Sequence, residues 1–203
     1  MTADETYRWL MGTRKDFATH VLASILAVAS AETSASGRPL AETAGLDASS
    51  ELITFFPHAA EALSPSEPLH RPEDEACLLA LLTRGTSTGS AFERLLAGMI
   101  ARRSQCPNHL WQDLGLANRG ELSRLMTEWF APLARRNTQD MKWKKFFFRM
   151  ICRDAAYTLC TAPSCGECCD FEACFGDESG ESFLAHVRRN TETEPDMSDS
   201  RQR

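Results

Sequence analysis

Phe92-Glu93-Arg94-Leu95-Leu96-Ala97-Gly98-Met99-Ile100 sets large apolar side chains at 92, 95, 96, 99 and 100. That i, i+3, i+4, i+7, i+8 spacing forms one stripe on an α-helix and has no period-two alternation. The rhythm continues in both directions. Downstream, Leu122, Leu125, Met126, Trp129, Phe130 and Leu133 repeat it. Asn118 with Glu121 three residues later reads as a capping box at the start of that helix, and Pro132 kinks or ends it. Met141 to Arg153 is a further helix carrying Trp143, Phe146, Phe147, Met150 and Ile151. Upstream, Asp74 to Thr83 is a helix ended by Gly85, and Ala48 to Phe56 is one capped by Asp47 and stopped by Pro57. Phe17, Val21, Leu22, Ile25, Leu26 and Val28 recur at helical spacing again. No useful β-alternation and no Asn-Gly or Asp-Gly hairpin signal occurs. The fold class is therefore all-α, an irregular helical domain, with loops expected at Glu32 to Pro39, Ser64 to Pro72 and Arg84 to Ser90.

The chain of 203 residues suits one domain with a real core, 43% apolar and 25% charged. We place that domain at residues 1–189. The polar stretch 190–203 lacks large aliphatic residues and is expected to be a disordered tail. A net charge of −6 with one short basic stretch argues against nucleic acid as a partner. Met1 to Arg14 has no apolar signal-peptide region. Val21 to Ala31 is too short to span a bilayer and contains Ser24 and Ser30. The expectation is a cytoplasmic protein with no membrane partner, where thiols stay reduced. No internal repeat, Gly-rich phosphate loop, Ser-His-Asp set or telling pair of carboxylates is present, so an enzyme is not expected.

Eight cysteines in a reducing compartment call for a metal or redox explanation. Six of them fall between Cys152 and Cys174. The core of this segment is Cys160-Thr-Ala-Pro-Ser-Cys165-Gly-Glu-Cys168-Cys169-Asp-Phe-Glu-Ala-Cys174, with Cys160, Cys165, Cys168 and Cys174 spaced C-x4-C-x2-C-x5-C. A C-x2-C pair brings two thiolates to one metal, or to two adjacent irons, from a single turn. Gly166 frees that turn and Pro163 stiffens its approach. Four thiolates in one continuous loop form a soft donor set, a C-terminal cysteine-rich metal-cluster loop at 152–176. The spacing favours an iron–sulfur centre, such as [4Fe-4S], over zinc, whose ribbons usually separate two short knuckles by a longer insert. Cys169 adjoins Cys168 with its side chain directed oppositely. Taking Cys169 instead gives C-x4-C-x3-C-x4-C, and spacing alone does not choose.

Three further segments accompany the loop: Asn-His-Leu-Trp-Gln-Asp-Leu-Gly-Leu at 108–116, Glu-Leu-Ser-Arg-Leu-Met at 121–126, and Met-Lys-Trp-Lys-Lys-Phe-Phe-Phe-Arg at 141–149. With the closing Cys174-Phe175-Gly176, this order of elements resembles the NifQ family of nitrogen-fixation accessory proteins. The resemblance covers about a third of the chain. It implies a molybdenum donor in assembly of the iron–molybdenum cofactor of nitrogenase. A molybdenum–iron–sulfur cluster is then held on Cys160, Cys165, Cys168 and Cys174. The implied partners are the NifEN cofactor scaffold and the nitrogenase iron protein NifH. Two other functions fit the residues: a small iron–sulfur electron-transfer protein, and a zinc-stapled interaction module.

Other side chains carry two readings each. Lys142, Lys145 and Arg149 share a helix face beside Lys144; they are a docking patch for an acidic partner or incoming molybdate, or a solvated face. His109 is a possible nitrogen ligand to molybdenum, but the simpler reading is a helix-start histidine. His58 invites the same question with less support. His20, His70 and His186 read as surface residues. Cys77 reads as core, Cys106 as a loop thiol, Cys152 as structural. Trp111, Trp129 and Trp143 are assigned to core packing.

Overall fold

The computed structural model describes residues 1–47, 50–63 and 69–154. These residues form α1 (Ala3–Met11), α2 (Phe17–Ser36), α3 (Leu40–Ala44), α4 (Ser50–Phe55), a 3-10 turn (Pro57–Ala59) and α5 (Ala60–Leu63). There follow α6 (Glu73–Arg84), α7 (Ala91–Arg103), α8 (Leu110–Asp113), α9 (Arg119–Trp129), α10 (Ala131–Ala134) and α11 (Trp143–Asp154). No strand occurs among the described residues, so the fold is all-α.

α2 and α7 form the centre. Every residue from 21 to 29 is buried, as are Leu95 to Ala101. Helices buried along most of their length belong at the centre, and these two are wrapped by α1, α3 and α6. The apolar stretch at 21–31 is part of a 20-residue helix, long and apolar enough to cross a membrane by length and composition. Here its side chains join the single large core with Leu78, Leu82, Leu96, Met99, Leu114, Leu125 and Phe130. The loop expected at Glu32 to Pro39 is helical to Ser36, because the small residues at 33–36 continue the helix until Gly37 turns left-handed at φ 73°.

The polar N-terminus also forms a helix. Thr2 and Glu5 make a full capping box, with Thr2 N donating to Glu5 at 2.8 Å and Glu5 N to Thr2 Oγ1 at 3.2 Å. At Asn118 the box is half made. Its side chain caps Glu121 N at 3.1 Å, while the Glu121 carboxylate turns to Ala117 N at 2.8 Å. Pro132 ends α9 and starts α10. The Asp47 carboxylate accepts from Arg71 Nη2 at 2.8 Å, and residues 48 and 49, where the helix it was expected to cap begins, lie outside the described residues. Gly45, at φ 74°, lies where a Cβ would sit 2.7 Å from Gly98 O, so α7 and the end of α3 cross backbone to backbone.

Candidate functional site

Cys160, Cys165, Cys168, Cys169 and Cys174 lie outside the described residues, together with His186, the 189 boundary and the 190–203 tail. The described part of the candidate site is the helix that leads into the cysteine segment and the residues that fix it. α11 packs on α6 with Trp143, Phe146, Phe147 and Met150 all buried. The rings meet edge-on or tilted, Trp143 and Phe146 with centroids 5.7 Å apart. This apolar face is why the sequence stays helical there and why the helix cannot slide.

The chain entering α11 is clamped. Asn137 Nδ2 donates to Met141 O and Met141 N donates to Asn137 Oδ1, both at 2.9 Å. Arg119 Nη2 donates to Asp140 O at 2.8 Å and to Asp140 Oδ1 at 2.9 Å, holding Asp140 at a positive φ of 53°. Lys144, the second residue of α11, is turned away from solvent. Its Nζ donates to Asp113 Oδ2 and Cys106 O, each at 2.5 Å.

Asp113 belongs to the 108–116 segment, whose residues are mostly structural. His109 is the N-cap residue of α8, and its backbone N donates to Gln112 Oε1 at 3.2 Å. Asn108 Nδ2 donates to Asp113 Oδ1 at 3.0 Å. Arg103, almost fully buried, donates to Asp113 O at 2.8 Å, Thr43 O at 3.1 Å and Glu32 Oε2 at 2.5 Å. One buried charge network thus ties α2, α3, α7 and α8 to α11. Buried charges persist only when paired and hydrogen-bonded, which these are. Sequence reasoning quoted Asn108, Asp113 and Lys144 as parts of segments and assigned them no joint role. Their convergence depends on packing between residues 31 apart in sequence for the Lys144–Asp113 pair.

Cys106 is half-buried at this network. Burial pushes its thiol up, the Asp113 and Glu32 charges add to that, and Arg103 and Lys144 oppose it. Cys77 is exposed, not core. The buried positions of α6 are Glu75, Leu78, Leu81 and Leu82, which leaves Cys77 on the other face. Glu75 is inside because Arg71 pairs with it and Arg102 Nε lies 3.1 Å from Oε2. His20 is also not a free surface residue. Tyr7 OH lies 2.8 Å from its Nδ1 and Glu121 Oε2 lies 3.2 Å from its Nε2. His58 is exposed, with Nε2 3.2 Å from Trp9 O. Among the described residues, no three His, Cys, Asp or Glu side chains gather as a metal site. Trp111 and Trp143 are buried as expected, and Trp129 is half-buried against Phe17 and Phe92. Lys142 is half-exposed, and Lys145 and Arg149 are exposed.

Fold and anchor define an all-α protein whose last described helix, pinned by a buried charge network, leads directly into a cysteine-rich segment. The NifQ family profile matches residues 21–176, a span that includes all of that segment. The chain belongs to the NifQ family, a nitrogen-fixation family. It is 41% identical over 176 residues to Protein NifQ homolog of Sinorhizobium fredii, covering 82% of this chain and 75% of the relative. It is 38% identical over 161 residues to Protein NifQ of Rhodobacter capsulatus, covering 77% and 89%. A shorter match, 48% identical over 81 residues, is to Protein NifQ of Klebsiella pneumoniae, covering 39% and 48%. No solved structure matches the chain.

Proposed function

We propose that the protein carries molybdenum, as part of a molybdenum–iron–sulfur cluster on Cys160, Cys165, Cys168 and Cys174, to the scaffold on which the iron–molybdenum cofactor is built. The observation that supports this reading most is the C-x4-C-x2-C-x5-C set itself, lying inside the span matched by the family. Four soft thiolates suit molybdenum held with sulfide and iron, and they suit free molybdate poorly. The cluster is cargo, so the protein performs no turnover chemistry and acts in the cytoplasm without membrane or nucleic acid. NifEN receives the metal, with NifH taking part. Lys145 and Arg149 sit on the helix that enters the cysteine segment, and Lys142 immediately precedes it. On this reading they steer an acidic partner surface toward the cluster.

The pinned α11 supports such a role physically. A donor must present its metal to another protein's ligands while its own frame stays put. A helix fixed at its start by Asn137, Arg119 and Lys144 holds the entry to the cysteine segment in place on the core. Elemental analysis and a visible spectrum of anaerobically purified protein test the proposal. Iron with molybdenum in a brown protein is expected. A colourless zinc protein contradicts it and favours the stapled module. Iron alone with reversible bleaching contradicts it in favour of electron transfer.

A further inference from the structure

Tyr7, His20 and Glu121 come together from α1, α2 and α9. Tyr7 Oη lies 2.8 Å from His20 Nδ1, and Glu121 Oε2 lies 3.2 Å from His20 Nε2. Ala117 N donates to the same carboxylate oxygen at 2.8 Å and fixes it in line. A carboxylate only accepts, so Nε2 carries a hydrogen. In the neutral imidazole Nδ1 is then the acceptor, and the phenol donates to it. The imidazole also belongs to a run of rings. It stacks on Phe17 with centroids 6.0 Å apart, and Phe17 stacks on Trp129 at 5.5 Å with 15° between the planes. The two readily oxidised members of this run, Tyr7 and Trp129, are both half-buried.

We propose that Tyr7 is a proton-coupled redox site, a sink for single oxidising equivalents that reach it through Trp129. A one-electron oxidant, a diffusible radical or a high-valent metal complex, takes one electron from Trp129 and leaves its radical cation. Tyr7 gives an electron to Trp129 as the phenol O–H bond breaks. The proton passes to His20 Nδ1, where an N–H bond forms. The products are a reduced oxidant, intact Trp129, a neutral Tyr7 radical and an imidazolium facing the Glu121 carboxylate. The positive charge thus ends beside a carboxylate and not on an indole ring. Without a proton acceptor the phenol would have to become a radical cation, which is far harder to form. A thiolate or ascorbate anion restores Tyr7 with one electron while His20 returns the proton. The site uses no cysteine and stands apart from the carrier reading.

The chain holds two tyrosines, Tyr7 and Tyr157, so a tyrosyl radical is assignable by substitution. The full chain is oxidised without dioxygen by photogenerated tris(bipyridine)ruthenium(III), and electron paramagnetic resonance of freeze-trapped samples reads the radical. The expected product is a tyrosyl radical that Tyr157→Phe keeps and Tyr7→Phe removes, formed more slowly in heavy water. His20→Phe should lower its yield at least about tenfold and leave a tryptophan radical in its place. Should that variant not fold, His20→Gln keeps a hydrogen-bond acceptor but supplies no base, and it should lower the yield in the same way. A merely structural contact would be rescued by the glutamine. Trp129→Phe should slow formation of the same radical. A radical confined to Tyr157, no tyrosyl radical at all, or an undiminished Tyr7 radical in the His20 variants overturns the site. An unchanged rate in Trp129→Phe overturns the route through Trp129.

Discussion

Gly115 shows how much of a family-like segment serves the fold. At φ 70° it occupies a backbone region costly for other residues, and a Cβ there would lie 2.7 Å from both Ser24 O and Val28 Cγ2. Gly115→Ala should therefore destabilise the protein by about 2–4 kcal/mol, the sum of left-handed strain and overpacking against the central helix. Thermal unfolding checks this; an unchanged midpoint contradicts the close approach. The cysteines allow a second test. Cys77 is exposed, whereas Cys106 is half-buried with its thiol pushed up by burial. Iodoacetamide at pH 7.5, followed by peptide mapping, should label Cys77 at least about tenfold faster, since the thiolate is the reactive form. Equal rates would mean Cys106 is open to solvent. Cys77 was misjudged from sequence because an apolar-looking helix does not reveal its phase when a glutamate, Glu75, takes a buried position.

At the scale of elements, the most legible helices were those with one-sided stripes. Leu95, Leu96, Met99 and Ile100 were expected inside and are inside. α1 was missed although Thr2-x-x-Glu5 was in plain view, because its few apolar residues give the stripe too little contrast. The last turn of α2 was missed because Glu, Thr, Ser and Ala at 32–36 resemble a loop in composition, and only Gly37 marks the end. The start of α7 makes a testable claim. Burial pushes the Glu93 carboxyl up, but the amide and hydroxyl of Thr88 and the amides of Ser90 and Gly89 outweigh it and hold it below its ordinary value. A carboxyl lowered in the folded state stabilises above its unfolded pKa, about 4.3, and loses that contribution as pH falls through the folded value. Glu93→Gln should cost about 1–2 kcal/mol at pH 7, with parent and variant converging once the pH has fallen below the lowered folded value. A gap that persists in acid would show that the charge is not what matters.

At the scale of the molecule, the described helices share one apolar core, and the charge network of Glu32, Arg103, Asp113 and Lys144 closes it around α11. Every member of that assembly lies among the described residues, and the cysteine loop has only Phe171 and Phe175 as large apolar residues between Thr161 and Phe175. Metal-free protein should keep most of its far-ultraviolet helical signal, and loss of that signal on chelation would make the metal the keystone of the fold. The network could not be foreseen, because its members come from separate segments and each reads alone as a surface charge. The four-cysteine spacing, by contrast, is a local pattern that is read from the sequence alone and needs no packing to recognise.

The central claim is that Cys160, Cys165, Cys168 and Cys174 hold molybdenum. Molybdenum and iron per chain, determined on anaerobically purified protein and on single Cys→Ala variants, test it most directly. The account predicts both metals in the parent, most of both lost on changing any of these four, and both retained on changing Cys77, Cys106 or Cys169. A parent without molybdenum, or a Cys168→Ala variant that keeps its full complement, would contradict it.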